Sequence, residues 1–128
     1  MDPIAQMLNE IKNAQAVSKE TVSVPFSNFK YEVAQILEKN HLIEKTEKKG
    51  RGVKRTLEIT LKYEEKEPAI IGFKKVSRPG QRIFQPAKKI KSTRKGRGIV
   101  MISTSRGLMT ALEAKRQSLG GEVICEIW

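Results

Sequence analysis

Three consecutive hydroxyl side chains, followed by an arginine and a glycine, stand at Ser103-Thr-Ser-Arg-Gly107. Hydroxyls donate and accept hydrogen bonds, so the cluster suits a nucleophile, a turn at the end of a strand, or a surface that holds a polar partner. A serine nucleophile needs a base, but the single histidine, His41, lies about 60 residues away and is expected to end a helix. The hydroxyls also lack the Ser-x-x-Lys pattern and the glycine-flanked serine of known hydrolases. We therefore expect binding or turn formation here rather than catalysis.

The other polar residues do not complete a metal, phosphate-loop or acid–base site. One cysteine, Cys125, cannot form a zinc site with one histidine and cannot form an internal disulfide, which favours a reducing, cytoplasmic setting. Gly50-Arg-Gly52 and Gly96-Arg-Gly98 lack the glycine spacing and the Lys-Ser/Thr ending of a phosphate-binding loop. Glu122 and Glu126 share a predicted strand face but make a weak acid–base pair. The sequence predicts a protein without enzymatic activity, metal or cofactor.

Positive charge is concentrated in the second half of the chain. The formal net charge is +11; residues 1–67 carry 12 Lys/Arg and 11 Asp/Glu, whereas residues 68–128 carry 13 Lys/Arg and 3 Asp/Glu. Charge of one sign at this density repels itself, and a polyanionic partner would relieve the repulsion. Nucleic acid is the preferred partner over a merely solubilising surface. An anionic membrane surface is the lesser alternative, and no apolar run approaches the roughly 20 residues that span a bilayer.

The first 66 residues are expected to form an N-terminal lobe in which two helices pack on a short three-stranded sheet. Apolar residues recur at helical spacing in the helices and alternate with polar ones in the strands. The predicted helix caps are Asp2 with Pro3, Ser27 or Asn28, and Asn40 with His41. The predicted strands begin at Thr21, Leu42 and Leu57, and a basic turn at 48–55 connects the last two.

Residues 67–128 are expected to form a C-terminal lobe of mostly antiparallel strands with one short helix, so the fold class is α+β. A charged link, Glu64–Pro68, separates the lobes. Thr110 and Glu113 match a capping box that opens the helix, and Gly120 is predicted to close it. The predicted strands cover 69–76, 82–85, 99–102 and 122–128, with a tight turn at 77–80.

Aromatic residues are too few and too scattered for a single-strand stacking platform. Phe84 lies among basic residues and suits either base stacking or the core. A structured RNA or a duplex, held by its backbone and shape, is therefore favoured over sequence-neutral single-strand binding.

The whole chain resembles the bacterial protein eight family of the small ribosomal subunit. The most specific part is a Ser-Thr-Ser-basic-Gly segment followed by a terminal Gly-Gly-Glu-Val…Trp segment. The matching stretches are 2–8, 11–14, Val24-Pro25, Lys30, Ile36-Leu37, Val76-Ser-Arg-Pro-Gly80, 103–110, 113–115 and 120–128.

This resemblance implies two small lobes and binding to a stem with an irregular internal loop in the central domain of small-subunit ribosomal RNA, early in subunit assembly. It implies that the Ser-Thr-Ser segment enters the RNA minor groove. The RNA-binding residues carried over are Ser103, Thr104, Ser105, Arg106 and Gly107, supported by Gly121, Glu122 and Phe84, with Lys30, Lys54, Pro3 and Ile4 of the first lobe as backbone contacts. Neighbouring small-subunit ribosomal proteins are the other expected partners, and the ribosome in the cytoplasm is the expected location.

Small departures from the family pattern leave the assignment in place. Lys12 replaces an expected arginine, and Arg106 stands where lysine is frequent, so charge is kept. Phe84 stands where a tyrosine is expected, which removes a phenol but keeps a ring for stacking. Two alternatives stay open: a translational repressor that binds a mimic stem in messenger RNA, and a nucleic-acid-modifying enzyme, for which no catalytic set is present.

Overall fold

The structure, a computed structural model, describes residues 3–78, 80–89 and 98–128. Asp2 of the first predicted helix cap, Pro79 of the predicted turn and Gly96 lie outside the described residues. The chain divides into two compact units, Met1–Ile71 and Gly72–Trp128. The division falls a few residues after the predicted boundary between 66 and 67.

The first unit consists of two helices and a three-stranded antiparallel sheet. Its elements are α1 (Pro3–Ala16), β1 (Thr21–Pro25), α2 (Asn28–Lys39), β2 (Ile43–Lys49) and β3 (Thr56–Leu61). The sheet has the order β1-β3-β2, so the last strand in sequence lies in the middle. The residues that form its core share apolar character and helical or alternating spacing, and include Ile4, Met7, Leu8, Ile11, Val33, Leu37, Leu57 and Ile59, each at most 2% exposed. The predicted two helices on three strands are confirmed.

The ends of α2 follow from local chemistry. The Ser27 side chain accepts a hydrogen bond from the backbone N–H of Lys30 at 3.1 Å, which satisfies an otherwise unpaired helical donor. At the other end Asn40 is the C-cap, and its amide nitrogen donates to the Ile36 carbonyl at 2.8 Å. His41 then takes φ 62°, a left-handed conformation that stops the helix. His41 is thus a helix-end residue, as predicted.

The charged link predicted at Glu64–Pro68 is a small hairpin rather than an irregular connection. Tyr63–Glu64 (β4) pairs with Glu67–Pro68 (β5). The two residues between them, Glu65 and Lys66, both have positive φ, which reverses the chain within two residues.

The second unit is an antiparallel sheet with one helix, as predicted. Its elements are β6 (Phe73–Lys75), β7 (Phe84–Gln85), β8 (Ile99–Thr104), β9 (Gly107–Thr110), α3 (Ala111–Arg116) and β10 (Gly121–Ile127), with a 3-10 turn at Ala87–Lys89. The sheet order is β6-β10-β8-β9, and β7 also pairs with β10. One face forms a core with α3, made of Val100, Ile102, Met109, Ala111, Ala114 and Val123.

Two of the predicted boundaries are wrong, and one strand was missed. The strand predicted from Ala69 begins only at Phe73, and β9 was not predicted at all. The helix opens at Thr110 as predicted, because the Thr110 hydroxyl accepts from the backbone N–H of Glu113 at 3.2 Å. It ends at Arg116 rather than at Gly120.

The residue that ends α3 in place of the predicted glycine is Ser118, with φ 57°. Gly120 has a different use, because a Cβ there would lie 2.7 Å from the Gln85 carbonyl oxygen. That glycine permits a close approach of two backbones.

None of the helices in the described part of the chain has the length and apolar character needed to span a membrane.

Candidate nucleic-acid interface

The hydroxyl cluster forms the tip of a hairpin between β8 and β9. Thr104 pairs with Gly107, and Ser105 and Arg106 are the two turn residues between them. Gly107 has φ 109°, a conformation that a residue with a side chain adopts only with strain. The sequence predicted a strand over 99–102 and a helix opening at Thr110 with no strand between them, whereas β9 occupies Gly107–Thr110. The hairpin presents Ser105 and Arg106 at an exposed tip.

Thr104 differs from its two serine neighbours because its hydroxyl holds the turn together. Thr104 Oγ1 donates to the Gly107 carbonyl at 2.9 Å and accepts from the backbone N–H of Arg106 at 3.1 Å. Within the described residues, the hydroxyls of Ser103 and Ser105 make no such hydrogen bond. Ser105 is exposed and Ser103 is half-buried. The two serines therefore keep hydrogen-bonding capacity for a partner, whereas Thr104 shapes the turn.

Residues far apart in sequence form one row across the sheet beside this hairpin. Glu122 of β10 is paired with Ser103 of β8 on one side and with Phe84 of β7 on the other. Leu108 of β9 continues the row next to Ser103. Because neighbouring residues of a strand point to opposite faces, this row lies on the face away from Ile102 and the helix-side core.

Glu122 is the carboxylate in this row, and an arginine neutralises it. Arg82 Nη2 donates to Glu122 Oε1 at 2.6 Å and Arg82 Nε donates to Oε2 at 3.1 Å. The Arg82 hydrogen bond holds the pKa of Glu122 below its ordinary value, against the opposing effect of burial, and a hydrogen bond from Ser77 and the nearby Lys75 act in the same direction as Arg82. The Glu122 side chain is only 12% exposed, so its carboxylate is largely shielded from solvent.

Phe84 is an exposed ring in the same row. It is 61% exposed, and the Arg82 guanidinium carbon lies 5.5 Å from the ring centroid. The alternative that Phe84 belongs to the core is therefore excluded. Arg82 contacts both Phe84 and Glu122, so one cation orients a ring and neutralises an acid.

Gly121 permits the close pairing on which the row depends. A Cβ at this position would collide with the carbonyl oxygen of Ser103, and it would lie 3.1 Å from Cγ2 of Ile102. The glycine therefore has a packing role beside the hairpin.

The family model described as ribosomal protein S8 matches residues 2–128. The chain belongs to the ribosomal protein S8 family. Curated relatives carry the name small ribosomal subunit protein uS8. The protein of Mycoplasmopsis pulmonis is 43% identical over 127 residues, which cover 99% of this chain and 96% of the relative. The Persephonella marina protein is 44% identical over 133 residues, covering 99% and 98%, and that of Bordetella petrii is 45% identical over 126 residues, covering 98% and 96%. The resemblance identified from the sequence is confirmed.

The S8-family residues predicted in the first unit have different degrees of access. Lys54 is exposed at the end of a 3-10 turn, Gly52–Lys54, and Lys30 is half-buried with its ammonium 3.5 Å from the Pro25 carbonyl oxygen. Pro3 is exposed at the start of α1. Ile4 is only 2% exposed, so its side chain belongs to the core.

Two features of this S8-family chain were missed by sequence reasoning. The first is Arg82, whose partner Glu122 lies 40 residues away, so no local pattern indicates the pair. The second is a group of cations and rings in the first unit, where Lys48 and Arg55 of the basic turn contact Phe26 and Tyr31. The basic turn was noticed, but nothing in its own sequence points to the rings. Within the described residues, no three His, Cys, Asp or Glu side chains cluster as metal ligands would.

Proposed function

We propose that this protein is a non-enzymatic component of the small ribosomal subunit that binds a stem with an irregular internal loop in the central domain of small-subunit ribosomal RNA, and that this binding helps that region to assemble. The β8–β9 hairpin enters the minor groove of the stem. Ser103 and Ser105 hydrogen-bond to ribose hydroxyls or base edges, and Gly107 lets the RNA backbone approach closely.

The observation that carries this proposal is the row of Ser103, Glu122 and Phe84 beside the hairpin tip. Together with Ser105 at the tip, it combines serine hydroxyls that have no hydrogen-bond partner among the described residues, a carboxylate whose charge Arg82 neutralises, and an exposed ring. Serine hydroxyls suit the wide, shallow minor groove of an RNA helix, and a ring suits a base displaced from an irregular stem. A bare carboxylate would repel the phosphates, so its pairing with Arg82 is a condition for binding.

The charge of the second unit supplies attraction over a longer distance. Residues 72–128 carry all 13 Lys/Arg and all 3 Asp/Glu counted for residues 68–128, which gives a net charge of +10. Arg106 is exposed at the hairpin tip, and in this proposal it contacts a phosphate next to the serines. Phosphate contacts of this kind release counterions, so affinity falls steeply with salt.

The first unit contributes backbone contacts in this proposal. Lys54 and Pro3 are exposed and available to phosphate or ribose, and the ammonium of Lys30 can exchange its long contact to Pro25 for a phosphate oxygen. These contacts position the protein without reading sequence.

The test compares binding of the purified protein to the central-domain stem and to a regular RNA duplex of equal length, at several salt concentrations. The key variant is Ser103→Ala with Ser105→Ala, which keeps Thr104 and hence the turn. The control is Ser23→Ala, which removes an exposed hydroxyl from β1 in the first unit.

The wild type and the control are expected to prefer the irregular stem, and the double variant is expected to lose that preference with an unchanged dependence on salt. Equal binding of all three proteins to both RNAs would mean that the basic surface alone determines binding, and the proposed site would be wrong. Binding to a mimic stem in messenger RNA stays a prediction.

A further inference from the structure

The tip of the β2–β3 hairpin in the first unit carries a concentrated positive charge. Residues 48–55 contain five of the unit's 12 Lys/Arg and none of its 11 Asp/Glu, so this turn has a charge of +5 and the rest of the unit has a charge of −4. The segregation is local and sharp. The general basicity of the chain therefore does not explain it, because the first unit as a whole is close to neutral.

Two of these cations are held against aromatic rings from neighbouring elements. The Lys48 ammonium lies 4.4 Å from the centroid of Tyr31 and 5.7 Å from that of Phe26. The Arg55 guanidinium carbon lies 4.7 Å from the Phe26 centroid. The Phe26 ring thus contacts two cations, and cation–π attraction offsets part of their mutual repulsion. We call Phe26, Tyr31, Lys48 and Arg55 the hairpin-tip cluster.

The backbone fixes this arrangement. The N–H of Phe26 donates to the Arg55 carbonyl at 3.1 Å, which ties the end of β1 to the start of β3. In the turn, the Arg55 N–H donates to the Gly52 carbonyl at 3.2 Å. Gly50 has φ 79°, and a Cβ there would lie 2.6 Å from the Lys54 carbonyl oxygen, so the turn closes only with glycine at that position. The cluster is a shaped surface with its cations at defined positions.

Four of the five cations of residues 48–55 differ from the fifth, Lys49, in their pairing. The Glu47 carboxylate binds Lys49 at 3.4 Å and Lys45, earlier in β2, at 2.8 Å. Within the described part of the chain, Lys48 and Arg55 form no ion pair with a carboxylate, and neither do Arg51 and Lys54. Four cations at the tip therefore keep their charge for a partner.

We propose that the hairpin-tip cluster is an additional RNA-contact surface, which binds the phosphate backbone of ribosomal RNA through Lys48 and Arg55. The ring of Phe26 lies against the guanidinium of Arg55. The N–H groups at the edge of that guanidinium remain available to two phosphate oxygens. This inference relies on the proposed function for the identity of the RNA but not for the location of the surface.

RNA fits this surface better than an acidic protein does. A stable protein interface needs an apolar centre from which charge is largely absent. Here the rings are covered by cations and half-buried, so the tip offers charge and hydrogen-bond donors instead. Binding of an RNA phosphate backbone requires only positive charge and hydrogen-bond donors.

The experiment measures binding of the full-length protein to a transcript of the complete central domain of small-subunit ribosomal RNA and to a regular RNA duplex, over a range of salt concentrations. The test variant is Lys48→Gln with Arg55→Gln. The matched control is Lys19→Gln with Lys66→Gln, which changes the net charge by the same amount. Lys19 lies two residues before Thr21, which pairs with Thr60, and Lys66 lies in the turn of the separate β4–β5 hairpin. The cluster lies at the other end of β1, where Pro25 pairs with Thr56. Unfolding curves verify that each variant is folded.

The test variant is expected to bind the central-domain transcript more weakly. The slope of log affinity against log salt should fall by about 2, one for each phosphate group that the variant no longer binds. The control is expected to keep a slope close to that of the wild type, and the test variant is expected to keep its preference for the irregular stem. Equal slopes for test and control variants would overturn the inference, and an acidic protein would then be the remaining partner.

The result separates this inference from the proposed function. If the wild type shows no preference for the central-domain transcript over the duplex, the proposed function fails, while the slopes measured on the duplex still test the cluster. If the preference is present and the slope of the test variant does not change, only the cluster is wrong. If the wild type binds neither RNA, both proposals are wrong.

Discussion

Arg82 binds Glu122 through two hydrogen bonds, Nη2 to Oε1 at 2.6 Å and Nε to Oε2 at 3.1 Å, although the two residues are 40 positions apart. The pair lies next to Ser103, because Glu122 is the strand partner of Ser103. A carboxylate beside the proposed RNA-binding hairpin would repel phosphate groups unless its charge were balanced. The two hydrogen bonds from Arg82 balance this charge and fix the relative orientation of the two side chains. The position of this charge pair therefore depends on the pairing of β10 with β8, because that pairing places Glu122 beside Ser103.

Replacing Arg82 with alanine is expected to weaken binding to the central-domain stem more than removal of an ordinary surface cation does. The Glu122 carboxylate would then face the RNA without a counterion. Adding Glu122→Gln to Arg82→Ala should restore part of the affinity, because it removes the unbalanced charge. Affinities at one fixed salt concentration measure the effect.

Arg78→Ala is the control for this prediction, since Arg78 is an exposed cation of the same unit. If the double variant binds no better than Arg82→Ala alone, neutralisation of Glu122 is not what Arg82 contributes.

The stability of the protein should depend on Glu122 in a pH range set by its lowered pKa. Arg82 holds this pKa below the ordinary value of 4.5, so the folded state favours the charged form. The stabilisation is present above about pH 4.5 and is lost as the pH falls through the folded pKa. Wild type should therefore exceed Glu122→Gln in free energy of unfolding at pH 7, and the difference should shrink below about pH 4.5.

Urea unfolding at pH 7 and at steps between about pH 5 and pH 3 measures this difference. Glu47, whose pKa is also lowered through its hydrogen bond with Lys45, is present in both proteins and cancels in the comparison. A difference that stays constant across the range would contradict the prediction.

Gly121→Ala should destabilise the second unit by roughly 1–3 kcal/mol, the usual cost of forcing an added group into a packed site. The new methyl group would collide with the Ser103 carbonyl oxygen, and β10 would have to move away from β8. Gly80→Ala is the matched control, because a Cβ there has no neighbour within 4 Å. Thermal or urea unfolding decides the outcome, and similar decreases in stability for both variants would show that the close approach is unimportant.

Thr104 and Ser105 should separate stability from binding. Thr104→Val removes two hydrogen bonds of the turn and is expected to cost about 1–2 kcal/mol of stability. Ser105→Ala is expected to change stability by less than about 0.5 kcal/mol, since the exposed Ser105 hydroxyl does not hold the turn, but to cost roughly 1–3 kcal/mol of binding to the irregular stem.

Unfolding curves and stem-binding curves for the same two variants test this division. A Thr104→Val protein of wild-type stability would show that the hydroxyl does not hold the turn. A Ser105→Ala protein of wild-type affinity would remove Ser105 from the proposed interface.

Much of the fold was predictable because its signals are local. The caps at Ser27 and at Thr110 with Glu113 use residues three positions apart, so the chain itself specifies them. The α+β class, the three-stranded first sheet and the order of the helices and strands other than β4, β5 and β9 followed from apolar spacing for the same reason. The predicted end of α3 at Gly120 failed because a glycine also serves close backbone approach, and the two uses look alike in sequence.

The candidate site likewise combines features that the sequence specified with features that only the tertiary structure decided. The sequence by itself determined the types of residue, the hydroxyl cluster, the basic second half and the membership in a ribosomal protein family. The tertiary structure decided that Ser103, Glu122 and Phe84 form one row, that Arg82 neutralises Glu122, and that Phe26 and Tyr31 hold the cations of the basic turn. The physical reason is that caps and periodicity arise from neighbours within one or two turns of chain, whereas a strand register is set by pairing between distant segments, and a shift of one residue would turn every side chain of the row to the other face.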